Sequence, residues 1–521
     1  MVRGIQSRGV GASVKHFAAN NQETDRMRVS AEVDERTLRE IYLSAFEYIV
    51  TTAAPWTVMA AYNRVNGVPA TESRFLLTDV LREEWGFEGV VVSDWCAVTD
   101  PVAAVVAGVD LEMPTTRGAS ARTLVEAVGS GNLDQEVLDR AVARMLMLIG
   151  NTTNAPSDPV DSAAHHTLAR RVAAESAVLL KNEDAVLPLK GHTRIAVIGE
   201  FARTPRYQGA GSSQVVPTQI DNTLDSLRTV AGKEIEVSFH PGFTLSGADD
   251  ALMPQAVQAA ATAEVTVLFL GLPDGEESEG FDRRGLELPL AQTRLLTAIG
   301  AVTSNVIVVL CNGGVIEVSS WQHHAKAILE MWLPGQAGGS AIADLLMGIA
   351  NPSGRLAETI PLRLQDTPAH LNFPGSDSSV IYGERLYVGY RYYDAKHMPV
   401  SFPFGHGLSY TTFHYTDLQA AVRGTGDDIT VYVRLNVTNT GSVRGKDVVQ
   451  LYVRDIDSSV DRPVRELAAK SISRQENQPR SPSNSTLGVC RSTAPTMAVV
   501  CSNRAHSNSQ PVPHRAICGS R

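Results

Sequence analysis

The stretch Gly89-Val90-Val91-Val92-Ser93-Asp94-Trp95 constrains this chain more than any other. Three valines between Gly89 and Ser93 are too few for a helix and too apolar for an exposed strand. They read as a short, fully buried strand that delivers Asp94 and Trp95 at its C-terminal end. In a parallel sheet or barrel that end is where chemistry gathers. A lone Asp after a strand is more often a cap on the next turn, so Asp94 counts as functional only in company.

The surrounding pattern alternates strand and helix. A strand from Gly11 to Phe17 ends in Lys15-His16-Phe17, and an amphipathic helix runs from Asp34 to about Thr52, with Asp34 and Glu35 at its positive end. A second strand, Thr57 to Tyr62, ends in Met59-Ala60-Ala61-Tyr62-Asn63, and a helix from Arg74 to Trp85 leads into the valine strand. Gly108 to Met113 reads as a fourth strand. This is a parallel β/α arrangement, most simply a (β/α)8 barrel. A closed barrel takes about 250 residues and eight strands, so the chain is expected to lack the front half of its first domain.

At 521 residues the chain has room for about three domains. Its net charge of -10 disfavours nucleic acid as a partner. No apolar run is long enough to span a bilayer, so no membrane partner is expected. The five cysteines form no C-x-x-C pair and suggest neither a disulfide framework nor a metal site. Met1-Val2-Arg3-Gly4-Ile5 holds no signal-peptide core, which points to the cytoplasm. The acceptor-like triplets at Asn151, Asn436 and Asn484 then read as chance matches.

A second region contains apolar strands at Arg194 to Gly199, Val265 to Leu270, Val306 to Leu310 and Ala327 to Trp332, with helices at Leu290 to Ile299 and Ser340 to Met347. It predicts an α/β sandwich with a mainly parallel sheet, entered by a helix from Ala173 to Leu180. Gly209-Ala210-Gly211-Ser212-Ser213 lacks the Lys-Ser/Thr of a phosphate-binding loop and the spacing of a dinucleotide site. Asp274 to Arg283 reads, on charge alone, as an exposed acidic loop. Beyond Phe402 the texture changes: Thr430 to Asn436 and Val448 to Arg454 suggest an antiparallel sandwich. From Lys470 to Arg521 there is no aromatic residue and Glu476 is the single acid, so a disordered basic tail is expected.

Lys15-His16-Phe17, Arg26, Asp34-Glu35-Arg36-Thr37-Leu38, Met59 to Asn63, Ser93-Asp94-Trp95 and Gly108-Val109-Asp110 together resemble glycoside hydrolase family 3, the β-glucosidase family. The match runs in order from about residue 3 to about residue 467. The resemblance implies that Asp94 is a nucleophile, that Lys15, His16, Arg26, Tyr62 and Trp95 line a sugar pocket, and that Met59 packs beside it. Singly, these are surface charges, a core histidine and packing aromatics. Together at successive strand ends they make a binding site. Glu279-Gly280-Phe281-Asp282-Arg283 resembles the family loop with the catalytic acid, which makes Glu279 the acid/base, with Glu276 and Glu277 as close rivals. The glycine-rich loop would shape the sugar cleft.

A retaining glycosidase needs one carboxylate to attack the anomeric carbon and another to protonate the leaving oxygen. No metal or organic cofactor is required. The expected architecture is α/β multidomain: the C-terminal half of a (β/α)8 barrel over 1–155, a linker helix over 156–180, an α/β sandwich over 181–365, a linker over 366–400, a partial fibronectin type III-like β-sandwich over 401–469 and the tail over 470–521. The expected substrate is a β-glucoside or oligosaccharide, hydrolysed at its terminal non-reducing glucose. Activity could be lost with the missing half-barrel, and oligomeric state, including a homodimer, stays open. A β-xylosidase or arabinofuranosidase of the same family, or a non-catalytic carbohydrate-binding remnant, are the alternatives. An N-acetylglucosaminidase fits poorly, because Ala18-Ala19-Asn20 follows Phe17 in place of that group's Pro-Gly-His.

Overall fold

A computed structural model describes residues 1–152, 159–247, 251–424, 430–475, 483–491, 497–502 and 516–518. The chain forms two compact units, Met1–Val160 with Ala369–Leu386, and Asp161–Pro368 with Tyr387–Arg521.

In the first unit the strands Ser13–Phe17, Thr57–Ala60 and Val90–Ser93 form a parallel sheet in that order. All four residues of Val90–Ser93 are buried, as their apolar run requires. The helix after Asp34 continues to Ala53, with its turns widened to π type over Leu38–Leu43. Asp34 caps it, accepting from the Thr37 N–H at 3.0 Å and the Thr37 hydroxyl at 2.8 Å. Phe17, fully buried, meets Phe46 and Trp85 edge-on with ring centroids 5.1 and 5.9 Å apart. Burying such a ring contributes roughly 1.5–3 kcal/mol.

The expected fourth strand, Gly108 to Met113, is reduced to one parallel bridge between Val92 and Leu111. Asp110 accounts for the difference. Its buried carboxylate takes the Val91 N–H at 2.8 Å, Arg82 Nη2 at 2.7 Å and Arg144 Nη1 at 2.9 Å, so a side chain replaces a regular ladder. This cluster braces the strand that ends at Asp94.

Where a linker is expected over 366–400, residues Ala369–Leu386 belong to the first unit. Ser379–Ile381 pairs in parallel with Ser30–Glu32, and the Tyr382 hydroxyl donates to the Ala19 carbonyl at 2.7 Å. Main-chain pairing and one buried phenol fix a segment whose composition reads as loop.

The second unit is built on a six-stranded sheet in the order Val178–Asn182, Ala327–Glu330, Val306–Cys311, Val265–Gly271, Arg194–Ile198 and Glu236–His240. All pairs are parallel except the first, which is antiparallel. The three strands over 265–271, 306–311 and 327–330 are buried throughout, as expected for a sheet covered on both faces. The helix expected over Ala173 to Leu180 instead ends at Ser176, and Val178–Asn182 becomes an edge strand. Val178, Leu179 and Leu180 are all buried, which a helix exposing one face could not achieve.

Phe413–Arg423, Thr430–Asn439 and Ser483–Arg491 form an antiparallel sheet. Glu466–Gln475, Gly445–Asp455, Met497–Ser502 and Ala516–Cys518 form another. Val431, Val433, Leu435, Val437, Val449 and Leu451 make their shared apolar core. Parts of the 470–521 stretch are therefore paired strands where a disordered tail is expected, and the remainder lies outside the described residues. Main-chain donors and acceptors on a strand edge pair with a segment whatever its side chains. No helix among the described residues is long and apolar enough to cross a membrane.

Candidate active site

Asp94 follows the buried valine strand directly and is itself buried, at 6% exposure. Its N–H donates to the Ala60 carbonyl of the neighbouring strand at 3.1 Å, continuing the ladder one residue further. Oδ1 accepts from the Trp95 N–H at 2.8 Å. Oδ2 lies 3.1 Å from His16 Nε2, yet no donor among the described residues is aligned on it as a hydrogen bond. One oxygen is thus held by the backbone while the other faces the His16 imidazole.

Burial pushes the Asp94 carboxyl upward, but His16, the Trp95 N–H and the Tyr62 phenol outweigh it and hold the group below the usual aspartate value. The carboxylate is buried and charged at neutral pH. Tyr62 is affected in the opposite sense: burial, with the neighbouring Asp94, pushes its phenol up to about 12, so it stays a donor.

The other expected pocket residues of this unit fall into two groups. His16 and Tyr62 flank Asp94, and the Arg26 guanidinium lies over the Tyr62 ring, 5.1 Å from its centroid, while its Nη1 pairs with Glu23 at 2.8 Å. Met59 is half-buried on the strand beside the valines, in register with Val92. Lys15 is exposed in the middle of Ser13–Phe17, and Trp95 is 49% exposed despite its size. An exposed indole beside a buried carboxylate offers an apolar face to the apolar side of a sugar.

Glu279 lies in the second unit, on the loop after Val265–Gly271. Its Oε2 accepts from the Ser212 N–H at 2.7 Å and also from the Ser212 hydroxyl. The glycine-rich loop therefore grips this glutamate directly. A Cβ at Gly211 would stand 2.6 Å from Glu279 Cβ, and Gly211 has a φ of +91°, so the approach requires glycine on both counts. Glu277 is held elsewhere, by the Gly313 and Gly314 N–H groups at 2.6 and 2.7 Å. Glu276 is exposed. Arg283 is half-buried and donates to the Val315 carbonyl at 2.8 Å, and the buried Arg206 pairs with Asp274.

Ser212 is the residue that sequence reasoning passed over. The loop's glycines were visible, but nothing local announces a bond to a residue 67 positions away. Chemically, the first unit presents an ionised carboxylate beside an imidazole, a phenol and an indole. The second presents a carboxyl group on a loop, steadied by a serine.

Comparison with known proteins places these features in a lineage. Residues 1–148 match the model of the glycosyl hydrolase family 3 N terminal domain, and residues 177–410 that of the family 3 C-terminal domain. The chain is 50% identical over 470 residues to thermostable beta-glucosidase B of Acetivibrio thermocellus, covering 89% of this chain and 62% of that protein. It is 49% identical over 481 residues to an exo-alpha-(1->6)-L-arabinopyranosidase of Bifidobacterium longum, covering 90% and 62% respectively. The chain thus spans about three fifths of the length of these two curated relatives. Among solved structures, beta-glucosidase 3B of Thermotoga neapolitana in complex with glucose superimposes with a TM-score of 0.88 at 32% identity, covering 100% of this chain and 78% of that one.

Proposed function

Because the chain belongs to glycoside hydrolase family 3, we propose that it acts as an exo-acting, retaining β-glucosidase on terminal non-reducing β-D-glucosyl residues. In this reading residues 1–155 are half of a (β/α)8 barrel, 181–365 an α/β sandwich and 401–469 part of a fibronectin type III-like domain. The observation that carries the proposal is Asp94: buried, held ionised, one oxygen fixed by a backbone N–H and the other 3.1 Å from the His16 imidazole. That is the state a nucleophilic carboxylate needs before it attacks an anomeric carbon.

Asp94 Oδ2 forms a bond to C1 as the C1–O bond to the aglycone breaks, and Glu279 gives its proton to the departing oxygen. Water then attacks C1, Glu279 takes the water's proton, and the Asp94–sugar bond breaks. Such a pair works with carboxyl groups about 5–5.5 Å apart. His16, Tyr62, Arg26 and Lys15 supply hydrogen bonds to sugar hydroxyls, Trp95 and Met59 supply apolar surface, and no cofactor takes part. A pentopyranose is the second reading, favoured by the arabinopyranosidase relative at nearly the same identity as the β-glucosidase.

The test is hydrolysis of p-nitrophenyl β-D-glucoside and p-nitrophenyl α-L-arabinopyranoside by the whole chain, with mass spectrometry after a 2-fluoro glucoside. Asp94→Asn should lower turnover at least about 10³-fold. A covalent adduct on any other carboxylate, or undiminished turnover by Asp94→Asn, defeats the assignment.

A further inference from the structure

Three glutamates lie within four positions of the acidic loop, and the second unit holds them in different ways. Both oxygens of Glu277 are engaged: Oε2 accepts from the Gly313 N–H at 2.6 Å and Oε1 from the Gly314 N–H at 2.7 Å. A Cβ at Gly313 would lie 2.9 Å from Glu277 Oε2, so the clamp depends on glycine there. Arg283 Nη1 stands 3.8 Å from Glu277 Oε1, and the buried Arg206 donates through Nη2 to the carbonyl of Glu277 itself at 2.9 Å. The clamp has its own support. Asn312, fully buried, donates through Nδ2 to the Gly314 carbonyl at 3.0 Å and to Glu330 Oε2 at 3.2 Å. Glu330, also buried, accepts the Trp332 N–H at 2.9 Å.

Side chain and backbone of Glu277 are thus both fixed, two residues before Glu279. We propose that Glu277 is a positioning residue for Glu279: the amide clamp sets the loop so that Glu279 meets the leaving oxygen, and Glu277 takes no part in proton transfer. The proposal rests on the reading of Glu279 as the acid/base. Two consecutive backbone amides commit both Glu277 oxygens as acceptors, whereas Glu279 Oε2 accepts from Ser212 on the glycine-rich loop. The same contacts separate the rival glutamates, which spacing alone leaves equivalent.

The experiment uses the whole chain with Glu277→Gln, Glu277→Asp, Glu279→Ala and the double variant Glu277→Gln/Glu279→Ala. Each is assayed on phenyl and 2,4-dinitrophenyl β-glucosides, with and without azide. Glu279→Ala should lose about 10²–10⁴-fold on the phenyl glucoside, which needs acid assistance, and far less on the dinitrophenyl one. Azide should then yield a glycosyl azide. Glu277→Gln, and Glu277→Asp, too short to reach both amides, should show the same leaving-group split at about tenfold, form no azide product, and add nothing in the Glu279→Ala background.

Equal losses on both substrates, or additivity with Glu279→Ala, overturn the proposal. A glycosyl azide from Glu277→Gln but not from Glu279→Ala makes Glu277 the acid and overturns it as well. Hydrogen exchange reads the clamp without turnover. If Glu279→Ala shows no leaving-group split, the acid/base reading fails by itself, and exchange still decides whether Glu277 orders the loop. Glu277→Gln should speed exchange over residues 273–285 and at Gly313 and Gly314 alone. Unchanged protection there removes the positioning role.

Discussion

The Ser212 N–H donates to Glu279 Oε2 at 2.7 Å, and the Ser212 hydroxyl donates to the same oxygen. A loop expected to shape the sugar cleft is therefore also a direct partner of the proposed acid. Its neighbour Gly211 has no room for a methyl group. Gly211→Ala should displace Glu279 and lower kcat on unactivated glucosides by about 10²-fold, the cost of a misplacement near 1 Å. KM should change little. Steady-state kinetics against the dinitrophenyl substrate, where the loss should be small, checks it.

Asp110 sits between Arg82 and Arg144 with its side chain 1% exposed. Asp110→Ala would leave a buried guanidinium at Arg82 without its carboxylate. A loss of about 3–5 kcal/mol is expected in denaturant unfolding. Arg144→Ala, at the more exposed side of the pair, should cost under about 2 kcal/mol. A smaller loss for Asp110→Ala than for Arg144→Ala would show that the cluster does not brace the Asp94 strand.

The pH dependence of kcat/KM should report Asp94. Burial raises its pKa, while His16, the Trp95 N–H and Tyr62 together bring it below 3.8, so the acid limb of the parent should lie beneath that value. His16→Phe removes the first of the lowering partners and leaves the burial. The limb should then move to higher pH. A limb that stays in place would mean that His16 does not hold the charge on Asp94.

Glu330 provides a contrasting case in stability. Burial raises it from 4.5 to about 8, so the folded chain keeps this proton over a window in which the unfolded chain has lost it. With the folded pKa the higher, the group's contribution is full below pH 4.5 and falls as pH rises toward 8. Glu330→Gln does not titrate. The melting temperature of the parent relative to that variant should decline between those limits and level off above them, as thermal unfolding across a pH series will show.

Local pattern carried much of the fold. The valine run before Asp94 and the apolar strands at 265–271 and 306–311 are buried on all sides, and such strands need no partner to be recognised. Gly108 to Met113 misled because its apolar residues fit a strand, while the deciding contact is a carboxylate reaching Arg82 and Arg144. The edge strand Val178–Asn182 was hidden because its apolar run continues the helix before it without a break. Asp94 could be singled out because a strand end marks it. The separation of Glu277 from Glu279 could not, since it depends on amides at Gly313 and Gly314, more than thirty positions away. Such contacts leave no periodic trace in the chain.

The Ser379–Ile381 strand closes the first unit only after the six-stranded sheet of the second has been passed. The Tyr382 to Ala19 bond joins residues 363 positions apart. During synthesis at about 5–20 residues per second, Ser30–Glu32 waits on the order of 20–70 s for its partner strand. Through that interval the free edge of Ser30–Glu32 is available to other chains emerging nearby. A nascent chain stopped before Ser379 would carry every residue of the Asp94 cluster and still lack the strand that covers the edge of Ser30–Glu32.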